Sequence, residues 1–192
     1  MKYLIIVAGH AGSGKTEFSG QISRHLSLPL LDKDTLTRAF VEVLANSLTG
    51  DPQDRQSPQY LEYIRPLEYT ALMETTWDIL ETGSPGAVIT APFGKELFDP
   101  AWISSLEAKC EAQGVKLSIV WMHCDSGILK ERIVRRGSGR DAWKLANWDQ
   151  WVSSLTMPTL RTQDFYVDNT NPLHGLSKKV KGISQAITSV SV

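Results

Sequence analysis

The octapeptide Gly9-His-Ala-Gly-Ser-Gly-Lys-Thr16 has the residue types that a polyphosphate requires, and it fills every fixed position of the pattern G-x-x-x-x-G-K-[ST]. Gly12 and Gly14 allow the backbone to turn its N–H groups inward around phosphate oxygens without interference from a Cβ. Gly9, Ala11 and Ser13 complete the loop. Lys15 places a compact positive charge on the outer phosphates, and Thr16 offers a hydroxyl to Mg²⁺. Such a loop works only between a buried strand and a helix whose N-terminal dipole adds to the site. Lys2-Tyr-Leu-Ile-Ile-Val-Ala8 supplies an unbroken apolar strand, and residues 16–27 supply the helix, with Phe18, Ile22 and Leu26 at helical spacing. The pattern predicts ATP with Mg²⁺ as ligand. His10 occupies a variable position and reads as a loop residue.

A second constellation follows Leu28-Pro-Leu-Leu31, where Asp32-Lys-Asp34 stands at the end of a short apolar stretch. In an open parallel sheet, ligands bind beyond the carboxyl ends of the strands. There Asp32 can hold a water on Mg²⁺ while Asp34 accepts the proton of an attacking hydroxyl. The alternative is that either carboxylate caps the helix expected over 34–48. That helix places Arg38 one turn from Asp34. Leu36, Phe40, Val43, Leu44 and Leu48 read as its core face.

A third group, Arg132, Arg135, Arg136 and Arg140, surrounds Gly137-Ser-Gly139. Guanidinium forks match the charge that spreads over a phosphoryl group in transfer, and the glycines permit a hinge. A solvated basic helix end is the alternative. Trp143, Trp148 and Trp151 follow, as a packed base or as an aromatic wall to a substrate.

These residues must be positioned by strands near 2–8, 28–31, 87–91, 116–123 and 165–167. Helical patterns alternate with them: 16–27, 34–48, a long one to about Leu80 interrupted by Pro66, then 100–113, 126–136, 148–155 and 173–189. Residues 50–58 read as a loop. The alternation predicts an α/β fold with a parallel sheet covered on both faces. A length of 192 residues suits one domain, 1–192. Lys and Arg total 20 against 21 Asp and Glu, so polynucleotides and anionic membranes are poor partners. The longest apolar run, Tyr3–Ala8, falls far short of the ~20 residues of a membrane helix, and a cytoplasmic protein is expected. Cys110 and Cys124 read as buried free thiols.

On Gly9–Thr16, Asp32-x-Asp34 and the basic segment at 132–140, the chain resembles the small P-loop kinases of the nucleoside-monophosphate-kinase type, an AAA-type ATP-binding group. That group includes shikimate kinase, gluconate kinase, chloramphenicol phosphotransferase and zeta-toxin-like kinases. The resemblance implies a three-layer P-loop NTPase fold with a five-stranded parallel sheet in the order 2-3-1-4-5. It implies a helical lid at about 137–147, whose Arg136 and Arg140 close over the phosphates, with Arg132 on the nucleotide. It also implies adenine contacts from the loop after the last strand, at Asn169 and Thr170, and an acceptor region at about 34–70. Arg38, Arg65, Tyr69 and Phe93 are the candidate acceptor contacts. The implied activity is transfer of the γ-phosphoryl of ATP to a hydroxyl, by a monomer or homodimer. The strand at 87–91 runs into Ala91-Pro-Phe93-Gly94 with no carboxylate, which argues against a hydrolysing motor. The segment D-G-F/Y-P-R of mononucleotide kinases is also missing, so a small hydroxylated metabolite or antibiotic is the expected acceptor. A zeta-toxin-like or polynucleotide-end kinase, and a non-catalytic nucleotide-dependent regulator, are the alternatives.

Overall fold

The apolar run at the start of the chain becomes β1 (Lys2–Gly9), and its burial follows from its place at the centre of the sheet. The computed structural model describes residues 1–171 and 175–189. β1 pairs in parallel with β3 (Gly86–Thr90) on one side and β4 (Val115–His123) on the other. β2 (Leu30–Asp32) extends the sheet beyond β3, and β5 (Phe165–Asp168) beyond β4. The order β2-β3-β1-β4-β5 is the one expected.

Alternation along β1 sends Leu4, Ile6 and Ala8 to one face and Ile5 and Val7 to the other. The first face packs against Leu72 and Leu80 of α3 (Arg65–Glu81) and Leu106 of α4 (Pro100–Ala112). The second packs against Phe18 and Ile22 of α1 (Lys15–Leu26) and Val180 and Ile187 of α8 (Leu176–Thr188). This gives three layers. The final helix was expected from 173, and residues 173–174 lie outside the described residues. Both cysteines are free and buried. Among the described residues no helix is long and apolar enough to cross a membrane.

The parallel register brings the carboxyl ends of the strands to one edge. Asp32 stands beside Thr90, Gly9 beside Met122, and His123 beside Asp168. The phosphate loop, Asp32, Asp34 and the arginines at 132–140 lie along this edge or in what covers it. The cover is built from α5 (Ser126–Arg136), which ends at Gly137 with φ 60°, a 3₁₀ turn (Gly139–Asp141), α6 (Ala142–Ala146) and α7 (Trp148–Ser153).

α2 (Lys33–Thr49) corrects one expectation. Its buried stripe is Lys33, Thr37, Val41 and Ala45, whereas Phe40 and Val43 are 74% and 70% exposed. Leu44 and Leu48 are exposed as well. The orientation is set by α2's partners. Val41 and Ala45 close a small core with Tyr60 and Ile64 of a π-helical turn (Tyr60–Ile64), and Lys33 and Thr37 face Glu68 of α3. A search for the densest apolar stripe therefore selects the solvent side. A kink or a break is expected at Pro66; helical backbone in fact runs through residues 58–81, and Pro66 falls where the π-helical turn gives way to α3, just after Arg65, whose N–H bonds to Tyr60 O.

If the exposed face of α2 is free in solution, Phe40→Ser changes stability by less than about 0.5 kcal/mol in urea unfolding. Ile64→Ala, on the buried side, costs about 2–5 kcal/mol. A large loss from Phe40→Ser would place that face against a partner.

Candidate nucleotide and acceptor site

The phosphate loop is shaped by close packing beneath it. Gly9, Gly12 and Gly14 have φ of 139°, 82° and 93°. A Cβ on Gly14 would come 2.3 Å from Asn169 Nδ2, and one on Gly9 would come 2.3 Å from Met122 O. At these positions only glycine fits. Asn169 Nδ2 donates to Ser13 O at 2.9 Å, and Arg132 donates to Gly12 O at 3.3 Å and to Asn169 O at 3.0 Å. The loop is thus clamped from below, and the first turn of α1 has no side-chain cap. Its N–H groups, which lack intrahelical partners, are available to an anion. This is a cradle fitted to phosphates.

Asn169 and Thr170, the residues expected near the adenine, also make contacts within the protein. The backbone N–H of Asn169 donates to His123 O, and its carbonyl serves Arg132. Thr170 Oγ1 accepts from Asp125 N at 3.1 Å. Asn169 ties the phosphate loop from beneath, and Thr170 ties the segment after β5 to the start of α5.

Above the loop lies a cavity of about 340 Å³, bordered by Ala11, Lys15, Thr16, Asp32, Asp34, Arg136 at the end of α5 and Arg140 of the segment expected to form a lid. Lys15 Nζ donates to His10 O at 2.8 Å. Burial lowers its pKa to about 8, against the pull of Asp34 and with the push of Arg136. His10 sits edge-on to Trp121, with Nε2 2.9 Å from Thr156 O. Burial lowers it to about 4, so it is neutral at pH 7 and tethers the loop to the segment after α7.

Asp32 Oδ1 accepts from the N–H groups of Asp34 and Thr35 at 2.9 and 3.1 Å and so caps α2. The carboxylate also borders the cavity beside Thr16. Among the described residues no group of three or more His, Cys, Asp or Glu side chains is set to hold a metal ion. A Mg²⁺ here would have Thr16 and Asp32 as its protein side chains, with phosphate oxygens supplying the rest.

Asp34 is the most constrained carboxylate at the edge. It pairs with Lys33 at 3.0 Å and with Arg140 of the lid. Burial raises its pKa, but these two cations outweigh that and hold it at about 2. Lys33 is itself buried and pairs with Glu68, which also receives hydrogen bonds from Thr37 and Tyr60. Within the lid, Asp141 is 1% exposed and takes Arg136 on one oxygen and Lys144 on the other. Arg135 stays on the surface, paired with Glu131.

The expected acceptor residues divide. Tyr69 and Arg65 border the cavity, with Arg65 stacked 4.3 Å above the Tyr69 ring and paired to Glu96 at 2.7 and 2.9 Å. Phe93 corrects an expectation. It is fully buried, at a φ of 51°, against Tyr69 and Trp102, with its N–H donated to Tyr69 Oη at 3.1 Å. This packing turns its ring into the core, away from the pocket. Arg38 lies in a neighbouring recess. Of the tryptophans, Trp151 borders the cavity, Trp148 packs on Trp151, and Trp143 is partly exposed. Lys33, Glu68 and Arg55 are at the site without having been singled out in the sequence. A lysine between two aspartates was the available signal for Lys33.

Residues 4–158 match the AAA domain family. No curated protein matches the chain. Among solved structures, a protein of Chloroflexus aurantiacus described as a candidate kinase is 25% identical, with a TM-score of 0.65 over 96% of this chain and 98% of that one. A gluconokinase from Sinorhizobium meliloti is 17% identical, with a TM-score of 0.60 over 94% and 90%. Kti12 of Chaetomium thermophilum, solved with ADP-AlF3, is 17% identical, with a TM-score of 0.58 over 97% and 100%. The fold is that of the ATP-binding P-loop kinases.

Because burial lowers Lys15 to about 8 while phosphates favour its charged form, nucleotide binding should take up protons just above pH 8, and affinity should fall as pH rises above about 8. Calorimetry of Mg·AMPPNP in two buffers of different ionisation enthalpy measures this. Lys15→Ala should bind at least about tenfold more weakly and take up none. Absence of uptake by the wild type would contradict the assignment.

Proposed function

We propose that this chain, which belongs to the AAA domain family, is an ATP-dependent phosphotransferase that moves the γ-phosphoryl of ATP to a hydroxyl of a small molecule. The observation that carries this reading is Asp34, a carboxylate at the carboxyl edge of the sheet, in the same cavity as Lys15 and tied to the lid arginine Arg140. A nucleotide switch has no need of a carboxylate there. A kinase needs one within ~3 Å of the attacking hydroxyl.

The geometry supports the following roles. The loop from Gly9 to Thr16 binds and orients the phosphates, and Lys15 neutralises the outer ones. Mg²⁺, held by Thr16 and Asp32, would supply neutralisation of the phosphate charge. The γ-phosphoryl brings negative charge into reach of Arg140, which leaves Asp34 for it. Asp34 loses one of the two cations that hold it near 2 and becomes a better acceptor for the hydroxyl's proton. Arg136 stays anchored to Asp141 and presents its positive charge at the cavity wall. The 137–147 segment acts as the lid of a single catalytic domain, and the acceptor enters between it, the start of α2 and Tyr69.

The reading is tested by incubating the protein with ATP and pools of hydroxylated metabolites and antibiotics, and following ADP. Acceptor-dependent ADP formation with a phosphorylated product supports it, and acceptor-independent hydrolysis alone refutes it. With an acceptor in hand, Asp34→Asn should lower kcat by roughly 10²–10⁴-fold with little change in ATP affinity. Wild-type turnover in that variant would remove Asp34 as the base.

A further inference from the structure

α2 carries two stripes at helical spacing, and the fold uses one of them. Lys33, Thr37, Val41 and Ala45 turn inward on α3 and the π-helical turn. The other stripe starts at Leu36, which packs at the margin of the core, and continues through Phe40, Val43 and Leu44 to Leu48. These residues recur at i, i+4, i+7, i+8 and i+12, the spacing of a helix that lies along another helix. Phe40 and Val43 are mostly exposed, and Leu44 and Leu48 are 40% and 49% exposed. Together the four leave about 400 Å² of apolar surface in water, within the size range of patches that serve as interaction sites.

No charge interrupts the stripe. Arg38 and Glu42 are the charged residues between Leu36 and Leu48, and both border the recess beside the lid instead. A surface that selects a different, charged partner carries complementary charge at its contacts. This one offers shape and apolar area alone, and its pattern is its own complement. Phe40 and Leu48 stand four residues to either side of Leu44. A two-fold axis at Leu44 therefore lays two copies of α2 antiparallel, with Phe40 of each over Leu48 of the other and Leu44 on its counterpart. The antiparallel crossing also opposes the two helix dipoles. The area is in proportion. Two such faces bury about 800 Å² of apolar surface, about half of a standard interface of ~1,600 Å², in which non-polar atoms make up a little over half.

We propose that this face of α2 docks a second copy of the chain, forming a homodimer with its two-fold axis at Leu44. The proposal stands apart from the phosphotransferase reading and does not need it. It places in the interface the helix that carries Asp34 in its first turn. The face is then covered in solution, and the stability lost in Phe40→Ser grows with protein concentration.

Sedimentation velocity on the full chain tests this across roughly 1–100 µM, a range chosen because interfaces of this size vary widely in affinity. The wild type should sediment at twice the monomer mass at the upper end. Leu44→Asp sets two carboxylates face to face at the axis and should weaken association by at least about tenfold, as should Phe40→Ser combined with Leu48→Ser. Mixing Leu44→Asp with Leu44→Lys should restore dimers that neither forms alone. Leu67→Ser, at an exposed apolar position on α3, should change nothing. Far-UV circular dichroism identifies the variants that are folded, and the Phe40→Ser, Leu48→Ser chain carries the test if Leu44→Asp is not. A wild type that is monomeric at every concentration overturns the proposal. So do dimers that persist in the folded stripe variants, a mixture that stays monomeric, or a dimer broken by Leu67→Ser.

Discussion

A run of ion pairs, Glu68–Lys33–Asp34–Arg140, ties α3 to the start of α2 and the start of α2 to the lid. Lys33 and Glu68 are 5% and 3% exposed, and charges so far from water persist only when paired and hydrogen-bonded. Thr37 and Tyr60 supply the extra hydrogen bonds to Glu68. That requirement fixes which face of α2 turns inward, and so where Asp34 projects. The cluster therefore sets both the packing of the acceptor side and the position of its candidate base. In this arrangement Asp34 is a weak base, because its two cations hold it near 2. In the proposed reaction an incoming phosphoryl group would compete for one of those cations.

The nucleotide side is governed by a different constraint. A loop that must keep its N–H groups open to a ligand cannot satisfy them internally, so it needs support from outside itself. Asn169 at the end of β5 and Arg132 of α5 provide this by taking the loop's carbonyls, at Ser13 and Gly12. The fit is close enough that Gly14 admits no side chain over Asn169. The strand ends thus brace the cradle from beneath, while the lid residues enter from the opposite side.

Much of this was legible in the sequence because it rests on local signals. The phosphate loop lies between an apolar strand and a helix, strands and helices alternate, and Gly137 ends α5; all of these depend on spacing over a few residues. The features that were not legible depend on partners distant in the chain. Phe40 and Val43 form the more apolar stripe of α2, yet Lys33 and Thr37 face inward because Glu68, some 30 residues away, must be compensated. Phe93 adjoins the edge of the sheet, but a left-handed backbone and the Tyr69 hydroxyl turn its ring into the core. Asn169 reads as a loop residue, and its contact with Ser13 spans most of the chain. The arginines show both cases: Arg135 is the solvated helix end that its position allows, and Arg140 reaches back to Asp34.

In the proposed mechanism Arg140 and Asp34 are partners only until a phosphoryl group arrives. A crystal structure of the protein with Mg²⁺, ADP and aluminium fluoride tests it most directly, because the fluoride mimics the phosphoryl group in transfer. Arg140 is expected on the fluoride ligands, with the Asp34 carboxylate separated from it and open to the acceptor space. An Arg140–Asp34 pair intact above a bound transition-state analogue would contradict it.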